Sequence, residues 1–250
     1  MTSRFDRMVS EIEEIIAEAF TSFPAVIRVT IATNDGKNVY SNTRKGNPEN
    51  IHFTDSELAA AATSLLFIAS NMFERLLNQE VNYTITKGEK FVLLCMITKN
   101  ITGSVIFDRK LVELAGLTEH KNKMYDFFLR ISAIVETSEV IKEDLFVQIR
   151  RAIPNSLSIA IINKDGLPIK VQSTMEEPKI SAFIYALYQL TNILLKTAEY
   201  TIIAGVYGSI VIIRIDDERI LGIAVPESDD AKLGKYIAKL EEIIRHISKP

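Results

Sequence analysis

The sequence contains two copies of one pattern. An apolar residue followed by proline recurs 130 positions later (153 − 23), and an alternation of apolar residues and an Asp-Gly pair recur at the same offset. Self-similarity at a fixed spacing is typical of a duplicated structural unit, so the chain is predicted to contain two similar domains. The matched positions are Phe23-Pro24 with Ile153-Pro154, Ile27, Val29 and Ile31 with Leu157, Ile159 and Ile161, and Asp35-Gly36 with Asp165-Gly166.

Later in each copy the offset falls to 119 (210 − 91), which a deletion of eleven residues (130 − 119) between the two blocks explains. The boundary is predicted near Thr137-Ser138, which gives domains of residues 1–138 and 139–250. Both are long enough to bury a core of their own. The matched blocks are Phe91–Ile97 with residues 210–216, and Ile101-Thr102-Gly103 with Ile220-Leu221-Gly222.

The composition is that of a folded globular protein, because 47% of the 250 residues are hydrophobic and 24% are charged. A net charge of −3 offers no basic surface, so nucleic acid is not an expected partner. Cys95 is the only cysteine, which excludes an intrachain disulfide and suits a reducing compartment. The most apolar window, 200–213, is too short to span a bilayer as a helix, and residues 1–20 do not resemble a signal peptide. We therefore expect a cytoplasmic protein without a membrane span.

Each copy has the same predicted order of elements: a helix, a hairpin closed by Asp-Gly, a central helix, three strands and a final helix. This order predicts an α+β fold in which a five-stranded antiparallel sheet has helices packed on its faces, as in profilin-like proteins. Thr54 and Glu57 have the spacing of a capping box at the start of the first central helix. The predicted central helices cover residues 54–78 and 179–199, and the third strands that follow them cover 81–86 and 201–204.

The central helices are predicted to carry one face toward the core and a second face toward a partner. The second face of the first helix has small residues around one aromatic side chain, where a solvated helix would have Lys and Glu. An ordinary surface with a single exposed Phe is the alternative. The third strands lack the proline or dense lysine that protects an exposed sheet edge, which favours pairing between the copies. The predicted core faces are Leu58, Ala62, Leu65, Ala69, Met72, Phe73 and Leu76, and Ile180, Ile184, Leu187, Leu194 and Ala198. The predicted partner-binding residues are Ala60, Thr63, Phe67, Ser70 and Asn71, and Tyr185, Gln189 and Ile193.

No pattern in the sequence predicts catalysis, a cofactor or a metal. The phosphate-binding loop and the dinucleotide fingerprint are absent. His52, His120 and His246 are too far apart in sequence to form a metal-ligand motif with one another or with the cysteine. No nucleophile and base can be paired from the sequence, so the chain is predicted not to be an enzyme.

The element order, the Asp-Gly hairpin and the alanine-rich run from Leu58 to Ala62 resemble the roadblock / dynein light-chain domain family over essentially the whole chain. The resemblance implies non-catalytic modules that dimerise through the third strand and the central helix. It also implies partners: Ras-like small GTPases, for which such domains act as scaffolds, activating proteins or parts of exchange complexes, and other roadblock-like chains. The tandem would then be a pseudo-dimer whose two central helices form a platform for a small GTPase.

Two other functions remain open at this stage. The chain could be a profilin-like sensor of a small ligand, with the polar loop 43–53 as a lid, or a purely architectural subunit of a larger complex. If it activates a GTPase, an exposed arginine is the expected contributor. The candidates are Arg28, Arg44, Arg75, Arg109 and Arg219.

Overall fold

The computed structural model describes residues 4–45, 53–138, 145–196 and 198–248. The chain divides into two compact units, Met1–Lys142 and Glu143–Pro250. The predicted domain boundary at residues 138–139 lies at the edge of the stretch 139–144, which is outside the described residues, and it stays a prediction.

The helices and strands follow the same order in the two domains, with one additional short helix in the first. The first domain contains α1 (Arg4–Ser22), β1 (Val26–Thr33), β2 (Asn38–Thr43), α2 (Asp55–Leu77), β3 (Tyr83–Lys87), β4 (Phe91–Ile97), β5 (Ile101–Asp108), α3 (Arg109–Ala115) and α4 (Leu117–Ser138). The second contains α5 (Leu145–Ala152), β6 (Ser158–Asn163), β7 (Pro168–Gln172), α6 (Glu177–Leu194), β8 (Tyr200–Ala204), β9 (Ser209–Arg214), β10 (Arg219–Val225) and α7 (Asp230–Ser248).

The first domain is a five-stranded antiparallel sheet, in the order β2-β1-β5-β4-β3, between two layers of helices. Helices α1 and α4 contribute to the larger core, for example through Ile12 and Phe128. Helix α2 covers the opposite face, where Leu58 packs with Ile27 and Ile106. Every residue of β1 is buried, because this strand is covered on both faces.

The second domain has the equivalent sheet order, β7-β6-β10-β9-β8, again antiparallel throughout. Ile180 and Ile184 of α6 form a core with alternate residues of the central strands, such as Ile220. Helices α5 and α7 pack against each other. The two sheets confirm the predicted α+β, profilin-like fold class.

Local sequence signals account for the turns and helix ends. Gly36 and Gly166 close the two β-hairpins with φ of 81° and 83°, a conformation that glycine adopts without strain. The capping box at the start of α2 forms as predicted: the Glu57 amide donates to Thr54 Oγ1 at 3.1 Å, and the Thr54 amide donates to Glu57 Oε2 at 2.8 Å. Asn78 ends the helix in the left-handed conformation.

The predicted offset of 119 between the later parts of the two copies is wrong. The β3–β4 turn is closed by a hydrogen bond from Gly88 N to Phe91 O, and the β8–β9 turn by one from Gly205 N to Gly208 O, both at 2.8 Å. These turns match at an offset of 117 (205 − 88). The prediction aligned the two copies by their apolar residues alone. Strands that are buried on both faces are apolar at nearly every position, so apolar residues do not fix the alignment of one strand with another, and the predicted offset was shifted by two residues.

The directions of the side chains in β5 and β10, the central strands of the two sheets, also show that the predicted alignment is wrong. A Cβ on Gly103 would meet the ring of Phe128, on α4, at 2.4 Å. A Cβ on Gly222 would meet Ile184, on α6, at 2.3 Å. These glycines were aligned by sequence, but they face opposite layers, because neighbouring residues of a strand point to opposite faces.

Two further elements differ from the predicted ones. Helix α3 was not predicted; Asp108 caps it by accepting from the Leu111 amide at 2.9 Å. In the second domain residues 226–229 lead from β10 to α7 instead. Helix α6 ends at Leu194, well before the predicted residue 199, because Leu195 takes an extended conformation.

Candidate protein-interaction surface

Helix α2 lies on the sheet through small side chains. Ala62 and Leu66 pack with Cys95 of β4. The predicted core face is confirmed for Leu58 and Ala62 but wrong for Leu65, Met72, Phe73 and Leu76, because the helix is turned by about one residue, or roughly 100°. Small residues allow a helix to approach its neighbour closely, and here they favour the alanine side over the leucine side. The buried residues of α2 are Leu58, Ala59, Ala60, Ala62, Thr63, Ser64 and Leu66.

Leu65, Met72, Phe73 and Leu76 were assigned to the core of the first domain and are instead exposed. Together with the exposed Ile68, three of them form what we call the α2 stripe: Leu65, Ile68, Met72 and Leu76, which recur at spacings of three and four and so share one side of the helix. Residues 72–77 are exposed on every side of the helix. Met72 is 52% exposed and Leu76 is 71% exposed. An apolar helix end of this kind is typical of a surface that another protein covers.

Helix α6 carries a similar surface in the second domain. We call it the α6 stripe: Phe183, Leu190, Ile193 and Leu194 are all exposed, and the exposed Ala186 lies between the first two. Leu194 had been assigned to the core and is 86% exposed, so that part of the prediction is wrong. The fully buried residues of the helix, Ile180, Ser181 and Ile184, lie in its first half.

An open sheet edge accompanies each stripe. Within the described part of the chain, strands β3 and β8 end their sheets and pair on one side only, with β4 and β9. Both begin with the sequence Tyr-Thr-Ile and have the same pattern of exposure, with Tyr83 and Tyr200 exposed. Neither strand contains proline, and Lys87 is the only lysine in the two. Such edges have backbone groups that can pair with a further strand.

The structure separates the predicted partner-binding residues of the first domain. Ala60 and Thr63 are 2% and 3% exposed, and the Thr63 hydroxyl donates to the Ala59 carbonyl at 2.9 Å. The exposure expected of these two was therefore wrong: they belong to the packed face of α2. Phe67, Ser70 and Asn71 are partly exposed on the side next to the α2 stripe.

In the second domain the Tyr185 side chain packs against the β6–β7 hairpin of the same domain. A Cβ on Gly166 would lie 2.6 Å from the Tyr185 ring, so this ring covers the Asp-Gly turn. Gln189 is partly exposed, and Ile193 is 76% exposed and belongs to the α6 stripe. Sequence reasoning missed the rest of both stripes, although one signal was available: these helices are apolar on two sides.

The element order, the two five-stranded antiparallel sheets and the helices on their faces agree with the fold expected from the sequence. Each domain has a roadblock-like fold. The chain thus contains two roadblock-like domains in tandem.

Comparison with solved structures gives similar chains that match about half of this chain or less. A structure described as MglB with tetrameric arrangement has 14% sequence identity and a TM-score of 0.46, over 52% of this chain and 92% of its own. The gliding protein MglB from Thermus thermophilus has 15% identity and a TM-score of 0.43, over 50% and 91%. The roadblock/LC7 domain from Streptomyces avermitilis has 14% identity and a TM-score of 0.35, over 41% and 91%. By sequence, the chain matches no protein-family model and no curated protein.

Helix α2 is also long and apolar enough to cross a membrane, by length and composition alone. Of its most apolar stretch, 39% is buried inside the domain. The packed alanine face and the exposed α2 stripe together produce this composition. A core helix of a globular domain passes the same test.

The five candidate arginines have different surroundings, and the expected exposure is wrong for two of them. Arg28 and Arg219 are buried; Arg28 donates to the Phe53 carbonyl at 2.9 Å and pairs with Asp55 at the start of α2. Arg44 donates to three backbone carbonyls, and Arg109 to the carbonyls of the β3–β4 turn. Arg75 is exposed and lies on α2 between Met72 and Leu76.

Potential ligand-binding groups are few in the described part of the chain. No group of three or more His, Cys, Asp or Glu side chains there is placed to hold a metal ion. His120 is buried, with its ring 5.1 Å from that of Phe23. His52 and most of the loop 43–53 lie outside the described residues.

Cys95 is expected to be chemically inert in the folded protein. It is fully buried under α2, and burial raises the pKa of its thiol to about 12. Because the thiolate is the reactive form, labelling of the native chain by a disulfide reagent at pH 8 should be at least about 100-fold slower than labelling of the chain unfolded in urea. Equal rates would contradict this placement.

The raised pKa of Cys95 also makes the stability of the folded chain depend on pH. The folded pKa lies above the unfolded value of about 8.5, so the folded state favours the protonated thiol. The resulting stabilisation is fully present below the unfolded pKa and is lost as the pH rises toward the folded one. Cys95→Ala should therefore reduce the loss of stability between pH 8 and pH 10, as measured by urea unfolding at both values.

Proposed function

We propose that this chain is a non-catalytic, roadblock-like scaffold of the cytoplasm that binds and regulates a Ras-like small GTPase. The single observation that carries the proposal is the pair of apolar stripes on α2 and α6, each beside an open sheet edge. The family resemblance supplies the kind of partner. The stripes supply a reason for a partner that does not depend on the resemblance, because large apolar side chains exposed along a helix are typical of binding surfaces.

The edges and the stripes have different parts in this proposal. Strands β3 and β8 would each extend their sheet by pairing with a roadblock-like edge, either within the chain or in another chain. Such pairing would bring central helices side by side. Large side chains such as Met72 and Leu190 would then present an apolar platform to the GTPase.

Regulation could consist of activation, exchange or passive tethering. Activation by an arginine finger would require an exposed arginine at the platform. Of the five candidates, Arg75 is the one that lies on a central helix, beside Leu76 of the α2 stripe. An effect of Arg75→Ala on single-turnover GTP hydrolysis with unchanged binding would favour activation, and its absence would favour exchange or tethering.

The proposal is tested by titrating the chain with Ras-like GTPases of the same organism, each loaded with GDP or with a non-hydrolysable GTP analogue. Binding that depends on the nucleotide supports regulation of a GTPase. No binding to any of them in either state would reject the proposal and leave an architectural subunit or a small-ligand sensor.

One observation favours the alternative of a small-ligand sensor. The second domain has a cavity of about 590 Å³ between the residues that follow α6, the end of β9 and α7. Its charged lining is balanced: Lys196, Arg214 and Arg245 against Glu199, Asp216 and Glu241. A balanced lining does not select for a ligand of one charge. An increase in melting temperature with nucleotides or amino acids, lost in Arg245→Ala, would favour this alternative.

A further inference from the structure

The β3–β4 and β8–β9 turns are closed in the same way, but the residues at the tip are charged in the first turn and apolar in the second. Each is closed by the same backbone hydrogen bond, from the first glycine of the turn to the residue three positions later. The two tip residues are Glu89-Lys90 in the first domain and Val206-Tyr207 in the second. Since the turn forms with charged residues in one copy, its geometry does not require apolar ones in the other.

The apolar tip is among the most exposed surfaces of the second domain. Val206 is 80% exposed and Tyr207 is 91% exposed. A hydrogen bond fixes the backbone of the turn: Ser228 Oγ donates to the Val206 carbonyl at 3.2 Å. Its two side chains therefore project from a fixed turn into solvent, as binding residues do.

The corresponding corner of the first domain carries helix α3. Arg109 Nη1 donates to the Gly88 carbonyl at 3.1 Å, and Glu113 pairs with Lys87 and Arg109. These contacts place α3 against the turn. On its outer side Leu111 is exposed and Leu114 is 86% exposed. Each domain thus exposes two apolar side chains at the equivalent corner: the first domain on a helix, and the second on a turn.

The two corners have opposite charge. Around the apolar tip Glu227 pairs with Lys232, which leaves Asp229 and Asp230 in excess. Around α3 the cations outnumber the anions by one (4 − 3). Opposite charge beside exposed apolar side chains is the arrangement that steers two surfaces together. The charged residues at the α3 corner are Lys87, Lys90, Arg109 and Lys110, with Glu89, Asp108 and Glu113.

We infer that the Val206-Tyr207 tip of one molecule binds the α3 corner of a second copy of this chain. The two surfaces lie on different domains, so the contact is heterologous: one molecule of a bound pair keeps an unused tip, and the other keeps an unused α3 corner. Contacts of this type build rings or open chains rather than closed dimers. The inference does not depend on the proposed function, because neither surface includes the helix stripes and the two surfaces share only Lys87, at the end of β3, with the open edges.

The contact is small, since each side offers two large apolar side chains and a few charges. It should therefore be weak, with association visible only at high protein concentration. Part of its energy is electrostatic between exposed groups, so raising the salt from about 0.05 M to about 0.5 M should weaken it. Apolar association alone would not weaken with salt in this way.

Sedimentation of the full chain over a series of concentrations tests the inference. The average mass of the wild type should rise with concentration beyond that of its smallest species. Tyr207→Glu and Leu114→Glu should each reduce the association constant at least about tenfold, because each places a carboxylate in the apolar part of the contact. Leu167→Glu, at an exposed leucine of the β6–β7 hairpin, at the opposite end of the sheet from the tip, is the matched control and should leave the association unchanged.

Mixing the two variants gives the decisive result. The Leu114→Glu chain keeps the tip and the Tyr207→Glu chain keeps the α3 corner, so an equimolar mixture should form a one-to-one complex that neither variant forms alone. A mass that does not depend on concentration would overturn the inference, as would association that both variants retain. Loss of GTPase binding in these variants would also overturn it, because the corners would then serve another partner. Circular dichroism of each variant is the control for folding, and both spectra should match that of the wild type.

Discussion

Met72→Glu and Leu76→Glu, introduced together, are expected to reduce binding of the GTPase by at least about 100-fold, because truncation or charge at a buried interface anchor typically costs about 2 kcal/mol or more per site. Both side chains belong to the α2 stripe and are exposed in the free chain. In a complex each carboxylate would lose water without gaining a partner. Isothermal titration calorimetry with the nucleotide form that binds the wild type measures the loss.

The same variant should fold normally, since residues 72–77 are exposed on every side of α2. A melting temperature within about 2 °C of the wild type is expected for substitutions outside the core. Leu157→Glu serves as the control for adding charge to an exposed leucine elsewhere. Tight binding by a well-folded double variant would show that the α2 stripe is not the docking surface.

The second domain permits a parallel measurement. Leu190→Glu and Ile193→Glu alter the α6 stripe in the same way. If both central helices form the platform, this variant should lose affinity as the first one does. If only one variant loses affinity, the two domains have diverged, and one stripe serves another contact such as edge pairing.

The fold was predictable because its signals are local. The Asp-Gly turns, the capping box at Thr54 and Glu57, and the apolar alternation of β1 each depend on a few neighbouring residues. Such signals fix the ends and the type of an element. Their order then leaves few arrangements for a chain of this length, and the antiparallel sheet follows.

The surface of α2 was not predictable, because periodicity gives the existence of an apolar face but not its direction. This helix is apolar on both its alanine side and its leucine side. The alanine side faces the sheet because small residues let the helix lie close to Cys95 and its neighbours. That choice depends on the shape of the sheet, which is not encoded in the residues of the helix.

The buried arginines show the same limit. A charged residue in a sequence is normally assigned to the surface, yet Arg28 is buried in β1. Its guanidinium donates to the Phe53 carbonyl and to Asp55, residues more than twenty positions away. No local pattern predicts a partner that only the tertiary fold brings near.

Gly222→Ala is expected to destabilise the second domain by about 1–3 kcal/mol, since added atoms in a packed core force side chains from their preferred positions. The new Cβ would lie 2.3 Å from Cδ1 of Ile184 and 2.7 Å from its Cγ1. Ile184 is buried between α6 and the sheet, so it has little room to move. Urea unfolding followed by circular dichroism measures the change.

A second substitution identifies which layer the glycine faces. Ile184→Ala removes the atoms that the new methyl group meets, so the double variant should be more stable than the sum of the two single effects predicts, by about 1 kcal/mol or more. Ile237→Ala, at a buried residue of α7, should combine additively with Gly222→Ala, because α7 is not the helix that Gly222 faces. Coupling to Ile237 without coupling to Ile184 would place Gly222 toward the opposite layer and restore the alignment of Gly103 with Gly222 that the sequence suggested.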